Sequence, residues 1–275
     1  MTYATLMVHL QPGRLNAGVL QIAGDLAERF HAAVIGIAAL QPRQMVYGDN
    51  YISSEIFELQ RDETAHEMKQ TEAEFRAALQ ARVATLQWRS TMTYTPLSDT
   101  LAEQASSADL IITSTVFRES LDRSPAADIG DLIMQAGRPV LVVPAGEKKL
   151  RLERALIAWK DTRESRRAVV DALPLLKAAA FVAVVGIADQ EDLINTRTHL
   201  ADVVGWLKRH GIAAESLASP SAGNESTALY AIAQDHDADV IVAGAYGHSR
   251  LREWALGGVT RDLLLRSDCC SLLSH

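Results

Sequence analysis

The chain contains one internal duplication, and this limits the fold more than any other feature of the sequence. ADLIITSTVFRESLDRSPAADIGDLIMQAGRPVLVVPAG, from Ala108, aligns without a gap with ADVIVAGAYGHSRLREWALGGVTRDLLLRSDCCSLLSH, from Ala238, at an offset of 130 residues. The second strands also correspond, because AAVIGIAAL from Ala32 and AFVAVVGIAD from Ala180 both carry a Gly-Ile pair. A unit of roughly 130–150 residues is therefore present twice.

The boundary between the two copies is predicted at a short charged connector, residues 146–150. We therefore divide the chain into a first domain, residues 1–146, and a second domain, residues 151–275. Copy one and copy two are used below for these two parts.

Each copy alternates short apolar runs with helical patterns. In copy two the predicted strands are residues 154–159, 181–187, 214–218, 240–243 and 270–273. The predicted helices between them are residues 163–178, 191–210, 227–234 and 260–266. Strands separated by helices form a parallel sheet through right-handed crossovers. The pattern predicts two tandem doubly wound α/β domains, each with a parallel sheet of about five strands flanked by helices.

Copy one also contains a long charged segment, residues 53–86, with apolar residues mostly three or four positions apart. This spacing predicts one amphipathic helix that covers a face of the sheet.

Charge and hydropathy exclude several classes of partner. A net charge of −7 argues against sequence-independent nucleic-acid binding, which needs a basic face. The longest apolar run, residues 178–188, is too short for a membrane-spanning helix. No targeting segment is recognised, and the two cysteines, Cys269 and Cys270, are adjacent and unsuited to a structural disulfide. These features predict a cytoplasmic protein without a metal site.

Four glycines follow the strand at residues 240–243, namely Gly244, Gly247, Gly257 and Gly258. Ligands of open parallel sheets bind beyond the carboxyl ends of the strands. Glycine admits an anion close to the backbone, and the start of the helix that follows presents free N–H groups. Thr260 adds a hydroxyl in the first turn of that helix. The pattern predicts an anion site, and ordinary turn chemistry is the alternative.

The duplication provides an internal control for these glycines. Copy one has Ser114, Phe117, Ala127 and Asp128 at the four positions, so the same turn forms without glycine. Asp128 would also repel a phosphate. In copy two, His248, Ser249 and Arg250 are placed to close over an anion. We therefore predict the site in copy two and none in copy one.

The spacing Gly244-x2-Gly247-x9-Gly257, on a tandem repeat, resembles the ATP-binding pattern of the universal stress protein family. The resemblance covers both copies. It implies an adenine nucleotide alpha hydrolase-like fold, ATP with Mg²⁺ as a companion of its phosphates, and a role in stress resilience. It also implies dimerisation through the last strand, here as an intramolecular pseudo-dimer, with a homodimer as a further assembly.

The resemblance also assigns residues to the nucleotide. Ala158 and Ile187 would flank the adenine, and His248 and Ser249 belong to the loop. The ribose and phosphates would contact Gly244, Gly247, Gly257, Gly258, Val259 and Thr260.

Two positions differ from the family pattern. Gly258 stands where the family has Ser or Thr, and Lys160 stands where its ATP binders have Asp. The alignment of the first strands places Leu10 at the position of Lys160 in copy one. A cation at position 160 either contacts a phosphate or blocks the base.

The glycine motif and the resemblance leave three candidate functions. The first is a tandem universal stress protein that binds ATP in copy two and is not an enzyme beyond slow hydrolysis. The second is a nucleotide-free module that binds a protein or small ligand. The third, an adenylating enzyme of the same topology, lacks its Ser-Gly-Gly loop in both copies. No catalytic residue is assigned.

Overall fold

The computed structural model describes residues 2–41, 54–115, 127–221, 223, 225–246, 259–260, 262–263 and 269–275, and for residues 54–60 the backbone alone. The described part of copy one contains five strands and four α-helices. They are β1 Thr5–Leu10, α1 Ala17–Phe30, β2 Ala33–Leu40, α2 Ser54–Leu79, β3 Leu86–Met92, α3 Leu97–Gln104, β4 Leu110–Ser114, α4 Ile129–Ala136 and β5 Val140–Val143.

The described part of copy two follows the same order as far as its fourth strand, with its first helix in two pieces. Its elements are β6 Arg154–Ala158, α5 Arg163–Asp171, α6 Leu173–Ala178, β7 Phe181–Ala188, α7 Leu193–Arg209, β8 Glu215–Pro220, α8 Glu225–Asp235, β9 Val240–Gly244 and β10 Cys270–Ser274.

All ten strands form one sheet, in the order β3-β2-β1-β4-β5-β10-β9-β6-β7-β8. The strands within each copy are parallel, which confirms the predicted doubly wound α/β class. The two copies meet where β5 and β10 pair antiparallel, with Leu141 opposite Leu272. The last strand of each copy thus forms the joint, and the fully apolar strand Val140–Val143 is buried there between its two neighbours.

Two hydrophobic cores lie on the opposite faces of this sheet. The first core is covered by α1, α2, α5, α6 and α7, and the second by α3, α4 and α8. This division follows from the crossovers, since right-handed connections that advance in opposite directions along the sheet pass over opposite faces.

Two predicted helices differ from the observed ones. The segment predicted as one helix over residues 53–86 is helical only to Leu79, and Leu86 already begins β3. Val83, between them, is buried and keeps the apolar spacing without being helical. The predicted helix over residues 163–178 is interrupted at Ala172, because Pro174 has no N–H to continue the hydrogen-bond ladder.

Side chains of α5 tie copy two to copy one. The Tyr3 hydroxyl donates a 2.7 Å hydrogen bond to the carbonyl of Asp171. Arg167 Nη2 donates a 2.8 Å hydrogen bond to the carbonyl of Gly137. The Asp171 carboxylate also accepts a 2.5 Å hydrogen bond from Ser274 of β10. The antiparallel joint is therefore reinforced by polar contacts between the copies.

Candidate functional site

The carboxyl ends of β6 and β9 lie side by side at the centre of copy two, and this place is called the crevice of copy two below. The crossover from β6 leads to β7 on one side, whereas β9 lies on the other side, so the connections diverge at this point. Crevices of this kind, at the carboxyl ends of parallel strands, are the usual ligand sites of open α/β sheets. Ala158 of β6 lies directly opposite Ala243 of β9, so two small side chains are paired at the ends of these strands, on the side of the second core.

Several predicted site residues lie on the same face of the sheet. Ala158, Ile187 and Val259 are each partly buried against the second core. Thr260 is 5% exposed. Ile187 lies one residue before the end of β7, the strand next to β6. The structure thus brings these residues to the edge of the sheet to which the resemblance assigns the nucleotide.

The first glycine of the motif has a packing function of its own. A Cβ on Gly244 would lie 2.6 Å from the carbonyl carbon of Glu164 and closer still to the amide nitrogen of Ser165. Real Cβ atoms do not approach backbone this closely. Gly244 therefore allows the first turn of α5 to lie directly on the end of β9, whatever ligand is bound.

A buried carboxylate occupies that first turn of α5. Glu164 is 2% exposed, accepts a hydrogen bond from Arg163, and has no hydrogen-bond partner for Oε2 within the described part of the chain. Burial raises the pKa of Glu164, but hydrogen bonds from Arg163, its own N–H and Thr162 outweigh burial and lower the pKa below its usual value. Glu164 is ionised at neutral pH, and the sequence alone did not single it out.

Lys160 lies at the mouth of the crevice. It is exposed, and its Nζ lies 3.4 Å from Oε1 of Glu225 in the first turn of α8. An exposed pair at this distance contributes little to stability. The cation thus remains available to an anion.

Six of the residues predicted at the site lie outside the described residues. They are Gly247, His248, Ser249, Arg250, Gly257 and Gly258.

Strand register identifies the residues of copy one that correspond to the crevice. Thr5 pairs with Ala33 in β2, and Arg154 pairs with Phe181 in β7, so Gln11 rather than Leu10 corresponds to Lys160. The earlier alignment with Leu10 was wrong by one residue. It lacked the strand pairing that fixes the register.

The same register shows that copy one fills its crevice with side chains. His9 and Thr113 replace Ala158 and Ala243, and His9 Nδ1 lies 2.9 Å from Thr113 Oγ1. Gln11 Nε2 donates a 3.3 Å hydrogen bond to the hydroxyl of Ser114, which bridges the ends of β1 and β4. No motif search would find this pair, but comparison of the two copies in register does.

A side chain of copy two also covers the start of α4 in copy one. Tyr246, which follows β9 with a φ of 61°, packs its hydroxyl against Gly130, where a Cβ would overlap it. Burial, followed by the charges of Asp128 and Asp131, raises the pKa of Tyr246, so its phenol is neutral. The start of α4 is therefore occupied by protein.

The buried imidazole of His9 predicts a loss of stability in acid. Burial lowers the pKa of His9 from 6.5 to about 4. As the pH falls below 6.5 the unfolded chain takes up a proton that the folded chain does not bind until about pH 4. We expect His9 to remove about 3 kcal/mol from the free energy of unfolding over this interval.

Urea unfolding at pH 7 and pH 4.5 measures this effect. His9→Gln keeps a hydrogen-bonding group for Thr113 and does not titrate, so between these two pH values its free energy of unfolding should fall by about 2.5 kcal/mol less than that of the original chain. Equal losses in both proteins would show that His9 does not titrate with a lowered pKa.

The described residues offer neither a membrane-spanning helix nor a metal cluster. None of their helices is both long and apolar enough to cross a membrane. Nor do they contain a group of three or more His, Cys, Asp or Glu side chains that could hold a metal ion.

Comparison with known proteins gives a family match over part of the chain and a shared fold over nearly all of it. Residues 203–273 match the model of the universal stress protein family, and no curated protein matches the chain. A universal stress protein from Archaeoglobus fulgidus DSM 4304 aligns over 98% of this chain and 95% of its own, with 14% identity and a TM-score of 0.75. A functionally unknown protein from Pseudomonas aeruginosa PAO1 aligns over 99% of this chain and 92% of its own, with 14% identity and a TM-score of 0.62.

Identities this low show a common fold and no more. Residues 203–273 are therefore similar to the universal stress protein family, and the chain as a whole shares the fold of these two structures.

Proposed function

We propose that this chain is a tandem universal stress protein that binds one adenine nucleotide, ATP, in the crevice of copy two. The observation that carries the proposal is the difference between the pairs Ala158–Ala243 and His9–Thr113 at equivalent positions. Copy two keeps small side chains where copy one has a hydrogen-bonded imidazole and hydroxyl. If only copy two holds a base, small side chains are expected at its crevice and larger side chains at the equivalent place in copy one.

The residues present suit a nucleotide. Ala158 and Ile187 offer partly exposed apolar surface for a base. The exposed Lys160 and the hydroxyl of Thr260 offer groups that bind phosphate. If Mg²⁺ accompanies the phosphates, the free Oε2 of Glu164 is a carboxylate oxygen of the kind that this ion prefers.

The proposed role is regulatory rather than catalytic. Among the described residues, no carboxylate or histidine is identified as a general base for attack on a phosphate, so we expect at most slow ATP hydrolysis. We place copy one at residues 1–146 and copy two at residues 151–275, joined through β5 and β10 as an intramolecular pseudo-dimer. The proposal includes a cytoplasmic location and a response to stress.

The nucleotide content of the purified protein tests the number of sites. After denaturation, we expect the supernatant to contain about one adenine nucleotide per chain, identified by ion-exchange chromatography and mass spectrometry. If the protein is purified empty, titration calorimetry with ATP should give one site. Two sites would contradict the closure of copy one, and the absence of binding in both assays would contradict the proposal.

A nucleotide-free interaction module is the second candidate, and the contact between Lys160 and Glu225 favours it. This contact links the loop after β6 to α8 across the crevice mouth, where a ligand would enter. Lys160→Asp separates the two functions. If Lys160 contacts phosphate, this variant binds ATP more weakly. If Lys160 blocks a base, as the nucleotide-free module requires, the original chain does not bind ATP and the variant gains binding.

A further inference from the structure

A cavity of about 510 Å³ lies between α5 and α7, on the face of the sheet opposite the nucleotide residues. Its apolar walls are formed by Trp159, Val169, Val170, Val203 and Trp206. Four of these side chains belong to or pack against the first core, whereas Ala158, Ile187 and Val259 pack against the second. The cavity is therefore distinct from the proposed nucleotide crevice, although Trp159 directly precedes Lys160.

Copy one fills the corresponding groove with its own side chains. Gln87 in β3 and Glu215 in β8 occupy equivalent strand positions. Phe75 lies twelve residues before Gln87, and Val203 lies twelve residues before Glu215. Phe75 and Val203 are therefore equivalent positions of the two copies. The Phe75 ring is fully buried and packs on Trp88, at 5.4 Å between ring centroids. In copy two the smaller Val203 occupies this position and lines the cavity.

Two more positions on these helices follow the same pattern. Thr71 is 3% exposed, and Glu74 accepts a 3.1 Å hydrogen bond from Asn16, which links α2 to the start of α1. Their equivalents on α7 are His199 and Asp202, which are exposed at the cavity. Three successive inward positions of α2 thus close a groove that α7 leaves open.

The polar rim of the cavity is balanced in charge. Arg166 and Asp161 form an ion pair, with 2.6 Å between Nη2 and Oδ1. Arg209 and Asp202 add one charge of each sign. A rim without net charge does not favour an ionic ligand, and walls of two tryptophans and three valines favour a flat apolar one.

We propose that the groove between α5 and α7 is a second binding site, which takes an uncharged, planar, apolar molecule of drug-like size. The volume lies within the usual range of roughly 300–1,000 Å³ for small-molecule sites. We expect this site to bind independently of the base, because its apolar walls pack against the first core whereas Ala158, Ile187 and Val259 pack against the second. Ligand binding is expected to change the fluorescence of Trp159 and Trp206, because both side chains line the site.

The uncharged dye N-phenyl-1-naphthylamine tests this site on the full chain. We expect saturable binding of one dye per chain, with energy transfer from tryptophan to the dye. Val170→Phe fills the mouth, where Val170 is 42% exposed and a larger side chain causes no core strain. Val203→Phe restores the aromatic residue of copy one. Each variant should weaken dye binding at least tenfold.

The matched control is Val204→Phe, on the neighbouring residue of α7, which does not line the cavity and should change dye affinity less than twofold. Unchanged affinity in Val170→Phe, or an equal loss in the control, would overturn the site. Tighter binding of the anionic dye 8-anilinonaphthalene-1-sulfonate than of the uncharged dye would overturn the ligand class. Competitive displacement by ATP would overturn its independence from the nucleotide.

Discussion

The double variant Ala158→His/Ala243→Thr is expected to lose ATP affinity by more than ~100-fold while keeping its fold. These substitutions place in copy two the pair that copy one carries as His9 and Thr113, at the same strand register. A base of aromatic size buries roughly 150 Å² in such a crevice, which is worth about 3–4 kcal/mol. Most of that free energy is lost if an imidazole occupies the place. Titration calorimetry with ATP measures the change.

The matched control is His9→Ala in copy one, which removes an imidazole outside the proposed nucleotide crevice. It should leave the ATP affinity of copy two within twofold, because Gln11 and Tyr246 still close copy one. If the double variant binds ATP as tightly as the original chain, the base does not lie between β6 and β9. Circular dichroism and thermal unfolding would show whether the variants remain folded.

Gly244→Ala is expected to destabilise the chain by about 3 kcal/mol in the absence of any nucleotide. The added Cβ would lie 2.6 Å from the carbonyl carbon of Glu164 and 2.9 Å from the Cα of Ser165, so α5 has to move off the end of β9. The atoms in conflict belong to backbone, which no change of rotamer relieves. Thermal unfolding should show a fall in Tm of roughly 6–12 °C.

Gly205→Ala is the matched control, because the same substitution in α7 meets only Arg209 Nη1, at 3.9 Å. Alanine is the better helix former, so this variant should gain about 0.5–1 kcal/mol. Should Gly244→Ala unfold like the original chain but bind ATP more weakly, the glycine serves the ligand and not the packing of α5.

The elements that the sequence predicted correctly depend on local pattern. Buried strands such as β9 and β10 were predicted to within one residue, because their continuous apolar runs have a clear beginning and end. The end of α2 was missed because Val83 and Leu86 continue the helical spacing by coincidence. The break between α5 and α6 was not predicted, although Pro174 lacks the N–H that would continue the helix.

Part of the candidate site was predictable from the sequence, and part of it was not. The glycines and the position of Lys160 were available from the motif and the resemblance. The filling of copy one by His9 and Thr113 was not, since it requires the register between β1 and β4, which are about a hundred residues apart in the chain. The packing of α5 on Gly244 likewise depends on how closely a helix approaches a strand end.

The sequence by itself determined that a single α/β unit occurs twice, that its strands are buried and parallel, and that the glycine motif belongs to copy two. These properties follow from periodicity and from comparison of one half of the chain with the other. Only the tertiary structure decided that β5 and β10 join both copies into one sheet, which residues face each crevice, and which grooves side chains close. The physical reason is that such contacts depend on strand register and helix placement, which arise when distant segments pack and have no local signature in the chain.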